Sequence, residues 1–453
     1  MKRTIDCTHM LKVDIRLKNS PLQGSTQTYV QSFATGETID GAVSILSQDD
    51  LIFENLHISF IGEQSTSIPS AKPNKATHEF LHLIQPLPES ALPSPKVFRG
   101  RTKYEIPFSF LVPDYLPTPA CPHSSHPLVK AAHLHPPPSI GDATIAGFGG
   151  RLRDDLAPET ACKVVYTIIF KLERPSITTR AQETIMDKRL KVRIKPHVGE
   201  IPLPDLDLGA IADEYRLVSR GDIGPHNKGA GKGKLAVTLE QPECFWHPLG
   251  DTVRLISKAV RLFFVYTPSS ASASASAGSQ GNIITLPELK SLRAQITATT
   301  LYTTKFDGPH PPQRQRDFFG RPINFRDADI PLEFPSLPQL RWERMDAQAA
   351  DPNQSPNPEA GPGPGPPGSG SGETEISYIA TLLVPVTLTK DKSFVPTFHS
   401  CLISRIYSLS FQLEVKGASS SFRLKAPMQI AAERDPSALP SYNASLGVID
   451  TEP

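Results

Sequence analysis

The densest group of side chains able to bind a metal lies in "CPHSSHPLVKAAHLH" (121–135). It holds Cys121, His123, His126, His133 and His135. Cysteine thiolate and neutral imidazole are zinc donors, and tetrahedral sites usually draw on two closely spaced ligand pairs. His123/His126 and His133/His135 could form such pairs. The single residue between His133 and His135 suits a strand better than a metal finger, because residues two apart share a strand face. Pro122, Pro127 and the Pro136–Pro138 run push the backbone towards extended conformations. The stretch therefore reads as a polar surface loop, with no metal expected.

Other chemistry-bearing patterns fall short of a catalytic set. "GDIGPHNKGAGKGK" (221–234) is rich in Gly and Lys but lacks the G-x-x-x-x-G-K-[ST] order of a phosphate loop. It reads as a flexible connection, and Lys228, Lys232 and Lys234 make a weak contact with lipid headgroups conceivable. There is no G-x-S-x-G, H-E-x-x-H or G-x-G-x-x-G. Asp49/Asp50 and Asp154/Asp155 fall where turns are expected, a setting in which Asp braces the backbone. No enzymatic activity and no cofactor are expected. "FFGRPINF" (318–325) is apolar and reads as a buried loop anchor, with a partner contact as the alternative. Near the end, "DPSALPSYNASLG" (435–447) places one aromatic two residues after a proline, in polar surroundings that offer its ring no pocket.

The elements that would position such residues are strands. "LKVDIRL" (11–17) sets Leu11, Val13, Ile15 and Leu17 on one face. Period-two runs recur at 51–62, 78–84, 104–113, 162–174 and 188–195, then at 233–246, 251–266, 291–304, 377–388 and 405–417. No stretch of similar length shows a helical period. The 46 prolines, about twice the usual share, belong in turns and at strand ends. The expected class is all-β, with β-sandwiches.

The whole chain of 453 residues has room for two or three domains. Net charge is +1, from 47 basic and 46 acidic residues, so no field draws nucleic acid. Five scattered cysteines without a C-x-x-C read as reduced cytosolic thiols. The first residues lack the apolar core of a signal peptide, and no apolar run is long enough to span a membrane. The Asn-x-Ser matches at Asn353 and Asn443 are then coincidental.

Several local patterns carry a family resemblance. "FATGETIDGAVSI" (33–45) resembles the early strand–turn–strand of arrestin-fold proteins, and "LHISFIGEQST" (56–66) the strand after it. "YEIPFSFLVPDYLP" (104–117) is similar to the proline-containing strand of the same domain. "HLHPPPSIGD" (133–142) and "DDLAPETACKVVYTIIFKLER" (154–174) resemble the stretch that closes this domain in fungal members. "VPTFHSCLISRIYSLSFQLEV" (395–415) resembles late strands of the second domain. The order of these patterns resembles the fungal arrestin-like family, the alpha-arrestins or arrestin-related trafficking adaptors.

The resemblance implies two tandem arrestin-like β-sandwiches, immunoglobulin-like in build. The first spans 1–195 and the second 233–432, joined by a connection over 196–232. Two Ser/Ala/Gly- or Pro/Gly-rich insertions, 269–281 and 345–373, interrupt the second and are expected to be disordered. A disordered tail over 433–453 follows. Many members of that family carry [L/P]-P-x-Y motifs that bind WW domains of HECT-type ubiquitin ligases. Leu439, Pro440, Ser441 and Tyr442 match that pattern: Pro440 pre-sets a polyproline II backbone for an aromatic groove, and Tyr442 fills a second pocket. The resemblance thus implies a cytoplasmic adaptor recruited to plasma membrane or endosomes. It would bind cytosolic segments of a membrane transporter or receptor and bring the ligase to them for ubiquitin-dependent endocytosis. The alternative is an arrestin-like scaffold in endosomal sorting or signalling with no ligase link.

Overall fold

The computed structural model describes residues 11–18, 31–68, 74–122, 127–148, 151–158, 160–175, 182–197, 199, 215–224, 233–247, 255–269, 285–304, 324–334, 336–345 and 376–433. The chain is all-β. In the first half the strands are β1 (Leu11–Leu17), β2 (Ser32–Ala34), β3 (Thr38–Ser47), β4 (Leu51–Ile52), β5 (Asn55–Ile68) and β6 (Asn74–Ile84). They continue with β7 (Val97–Phe98), β8 (Lys103–Leu111), β9 (Gly147–Phe148), β10 (Arg151–Leu152), β11 (Cys162–Pro175) and β12 (Gln182–Lys195). Among the described residues the one α-helix is α1 (Pro127–His133), which falls inside the stretch expected to be a loop.

Two sheets face each other in this half. One has the order β1-β3-β8 and the other β2-β12-β11-β5-β6. Strand β8 alternates exposed and buried residues without a break from Glu105 to Leu111, so Ile106, Phe108 and Phe110 point inward while Pro107 and Ser109 face out. A one-residue slip would expose that apolar face, which fixes the register. The rings of Phe60 on β5 and Phe110 on β8 lie 5.8 Å apart across the interior.

The second half holds β13 (Val218–Ile223), β14 (Gly233–Leu239), β15 (Phe245–His247), β16 (Ser257–Pro268), β17 (Leu289–Tyr302) and β18 (Asn324–Leu332). It closes with β19 (Trp342–Met345), β20 (Ser377–Thr387), β21 (Phe398–His399), β22 (Ile403–Val415), β23 (Phe422–Met428) and β24 (Ile430–Ala432). One sheet runs β13-β14-β16-β20-β19, the other β18-β17-β22-β21 with β23 also on β22. Their inward residues form one core that includes Val237, Leu262, Phe264, Ile296, Leu409 and Phe411.

The sequence reading misses β13, β18 and β23, and the reasons are physical. Strand β13 lies inside 196–232, expected to be a connection, yet pairs with β14 as an edge strand whose single buried apolar residue, Ile223, leaves no alternation to read. Strand β18 carries Asp327 and Asp329, which accept hydrogen bonds from Thr299 and Thr297 of β17 at 2.6 and 2.7 Å. Cross-strand polar pairs thus replace apolar alternation at a sheet edge. Phe325, expected in a buried loop, sits on β18 and is 45% exposed. Strand β23 forms its ladder with β22, meets Arg216 on its other side through a single bridge at Lys425, and tolerates Pro427.

Among the described residues, no strand ladder joins β1–β12 to β13–β24; one isolated bridge, Asp154 to Lys392, does. The two cores nevertheless exchange residues. Val395, Phe398, Leu402 and Ile403 belong to the first core, and Leu156 to the second. Residues 395–402 read in sequence as part of the late second-domain strands. Of these, Phe398–His399 pair as the short strand β21, while Val395 and Leu402 lie in the irregular chain on either side of it.

Candidate functional site

The seam between the halves is built from strand ends that continue the core-facing phase with polar side chains. On β5 the inward positions run Leu56, Ile58, Phe60, Gly62, Gln64, Thr66. The first three fill the sandwich, and the last two meet the other half. On β17 the same phase runs Ala294, Ile296, Ala298, Thr300, and on β22 it runs Arg405, Tyr407, Leu409, Phe411. Gln64, Thr300 and Arg405 are 1%, 0% and 0% exposed. Buried polar groups must find partners, and here many of those partners lie in the opposite half.

Arg405 is the largest fully buried charged side chain in the seam. Its Nε donates to Thr300 Oγ1 at 3.1 Å and its Nη1 to the Asp155 carbonyl at 3.2 Å. The guanidinium lies 5.8 Å from the Tyr407 ring centroid. Asp155 is held by a tight loop: its carboxylate accepts from the amides of Gly141 at 2.7 Å and Ala157 at 3.1 Å. Gly141 has a φ of +77°, and a Cβ there would stand 2.1 Å from the Cys162 carbonyl oxygen. Only glycine fits such a backbone. Burial pushes the Asp155 carboxyl above its ordinary range, against the pull of the two amides and Arg405. Burial also raises the Cys162 thiol, to about 12, with Arg405 opposing.

The neighbouring Asp154 pairs with Lys392 of the second half at 2.9 Å and accepts from the Leu156 amide at 2.8 Å. Burial alone would raise its carboxyl, but these bonds outweigh burial and hold it below the ordinary value. Thr66 donates to the Thr303 carbonyl at 2.7 Å. The seam is thus a hydrogen-bonded lock whose acids and bases are taken up in holding backbone.

A second cluster lies in the same seam. Cys121 follows a 3-10 turn at Thr118–Ala120, His133 ends α1, and Cys401 occupies the turn between β21 and β22. All three are buried, at 0%, 2% and 2% exposure. Cys121 Sγ lies 3.5 Å from His133 Nδ1, and Cys401 Sγ lies 3.9 Å from the Ala120 carbonyl oxygen. The hydrogen bond with Cys121, then burial, pushes the Cys401 thiol strongly upward.

Of the candidate ligands in 121–135 that are described, Cys121, His133 and His135, the structure brings Cys121 and His133 together. His135 packs instead against Tyr115 in a tilted contact, with ring centroids 4.8 Å apart, and burial lowers its basicity. His123 and His126 lie outside the described residues, as do Lys228, Lys232 and Leu439, Pro440, Ser441 and Tyr442. The surface-loop reading of 121–135 is corrected at Cys121 and His133. A helical turn and the neighbouring second half cover them. Sequence reasoning missed Cys401, which is 280 residues from Cys121 in the numbering, and Arg405. Arg405 left a trace: it stands in phase with Tyr407, Leu409, Phe411 and Leu413, an inward register that a surface arginine would avoid.

No helix among the described residues is long and apolar enough to cross a membrane. No protein-family model matches the chain, and no curated protein matches it significantly.

Proposed function

We propose that the chain is a non-enzymatic adaptor of arrestin-like type. Its β-sandwiches bind cytosolic segments of a plasma-membrane transporter or receptor, and Leu439–Tyr442 recruits a WW-domain HECT-type ubiquitin ligase for endocytosis. The observation that carries this reading is the Leu-Pro-Ser-Tyr sequence placed after two β-rich halves that share a polar seam. Proline in such a motif loses little entropy on binding, and a lone tyrosine gains a pocket it otherwise lacks. Ligase and cargo held on one chain raise the effective concentration of cargo lysines at the ligase. The engagement of Asp154, Asp155 and Arg405 in backbone and inter-half bonds also favours a binding role over acid–base chemistry.

The test is the affinity of the full chain, and of a peptide covering 433–450, for isolated WW domains. Micromolar binding that disappears in Tyr442→Ala supports the adaptor. Absence of binding for both chain and peptide removes the ligase from the mechanism and leaves the sorting or signalling scaffold as the reading.

A further inference from the structure

Three donor side chains from distant parts of the chain converge on one buried point. Cys121, His133 and Cys401 place a thiol, an imidazole nitrogen and a second thiol all within 4.8 Å of one another. Zinc–sulfur bonds of about 2.3 Å and zinc–nitrogen bonds of about 2.0–2.1 Å, at tetrahedral angles, put sulfur and nitrogen about 3.6 Å apart. Cys121 Sγ and His133 Nδ1 are 3.5 Å apart. Two sulfurs on the same ion would stand about 3.8 Å apart by the same geometry. The trio therefore reaches ligand spacing with shifts of about an ångström or less.

We propose that Cys121, His133 and Cys401 form a zinc site that clips the two halves of the chain together. The donor set fits the metal. Two soft thiolates and one imidazole favour zinc over magnesium or calcium, which take oxygen ligands. Two thiolates also balance the ion's two positive charges, and a neutral complex avoids burying net charge in the seam. Binding releases the two thiol protons to solvent. The fourth position falls to a water or a backbone oxygen, and the Ala120 carbonyl, 3.9 Å from Cys401 Sγ, is one such oxygen.

The placement sets what the ion does. Cys121 and His133 bracket α1 in the first half, and Cys401 sits on the β21–β22 turn of the second. The same turn carries Leu402, which belongs to the first core, and Ser400, which bonds Gln64. Zinc here ties α1 and this turn into one unit, so its binding energy adds to the stability of the seam. All three donors are shielded from solvent, so the site is structural and acquires its ion as the chain folds.

The test is elemental analysis of the full chain, produced without a metal-binding tag and with zinc supplied during expression. One zinc per chain is expected, retained through gel filtration. Cys121→Ser and Cys401→Ser should each lose it, while Cys244→Ser, at another buried cysteine, should keep it. Production with cobalt gives a reading on the unaltered chain, so variants that fail to fold do not decide the matter: a sulfur-to-cobalt charge-transfer band with intense tetrahedral d–d bands is expected. Three results overturn the proposal. One is folded, unaltered chain with a negligible fraction of zinc and no cobalt band. Another is zinc retained equally by both serine variants. The third is a Cys121–Cys401 disulfide in the peptide map, which would make the pair a covalent crosslink instead.

Discussion

Gln64 Oε1 and the Ser400 hydroxyl lie 2.7 Å apart, although 336 positions separate the two residues in the chain. The same oxygen accepts from the Leu402 amide at 3.3 Å, and Gln64 Nε2 meets His78 Nδ1 at 2.9 Å. The Ser400 hydroxyl is also 2.7 Å from the Ile403 carbonyl and, with one proton, donates to one of these oxygens at a time. One amide on β5 thus fixes where the β21–β22 turn of the other half sits. Gln64→Leu keeps the bulk and strands the Leu402 amide. A loss of about 2 kcal/mol in unfolding free energy is expected, measured by urea denaturation. A loss within error would mean that Gln64 does not anchor the turn.

Arg405 and Asp155 should behave as a coupled pair. Arg405→Met keeps volume but removes two donated bonds and the cation nearest a buried carboxylate. Removing two charge-assisted hydrogen bonds from a buried site costs about 3 kcal/mol. Adding Asp155→Asn removes the charge left behind, so the double variant should recover about 1–3 kcal/mol relative to additivity. Strictly additive losses in a double-mutant cycle would dissolve the pairing.

His247 predicts a pH dependence. It is buried on β15, and desolvation first, then the nearby Lys195 charge, lower its pKa from 6.5 to about 4. The folded state therefore keeps the ring neutral where the unfolded chain protonates it. The contribution is complete above pH 6.5 and is lost as pH falls towards 4. Its size is about 3 kcal/mol at most. Between those limits the unfolding free energy should fall with acid in the native chain and fall less in His247→Gln. Equal slopes would remove His247 as the source.

Among the described glycines, Gly141 combines a positive φ with the shortest approach of an added Cβ to backbone. Gly141→Ala would combine a positive φ with a Cβ placed 2.1 Å from a carbonyl oxygen. The loop presenting its amide to Asp155 must then move, and a loss of roughly 3 kcal/mol or more is expected. The melting temperature of the purified variant checks it; an unchanged value would show that the loop yields without cost.

Much of the architecture was legible in the sequence because strand alternation is a local signal. Leu56, Ile58 and Phe60, or Ile106, Phe108 and Phe110, declare their face within a few residues. Strand β18 was not legible, since Asp327 and Asp329 satisfy themselves through threonines of a strand that only folding brings alongside. The sequence singled out Cys121 and His133 as donors and grouped them with His135, which folding turns towards Tyr115 instead.

What the sequence by itself determined is the all-β class, because side-chain period and proline placement follow from backbone geometry within single segments. It also determined the Leu439–Tyr442 pattern, which is a matter of adjacent residues alone. The tertiary structure alone decided which polar groups meet. Gln64 with Ser400, Arg405 with Asp155, and Cys401 with Cys121 are pairs that only chain closure over hundreds of residues can form. In each, burial removes water as a competitor and makes the distant partner the one that counts.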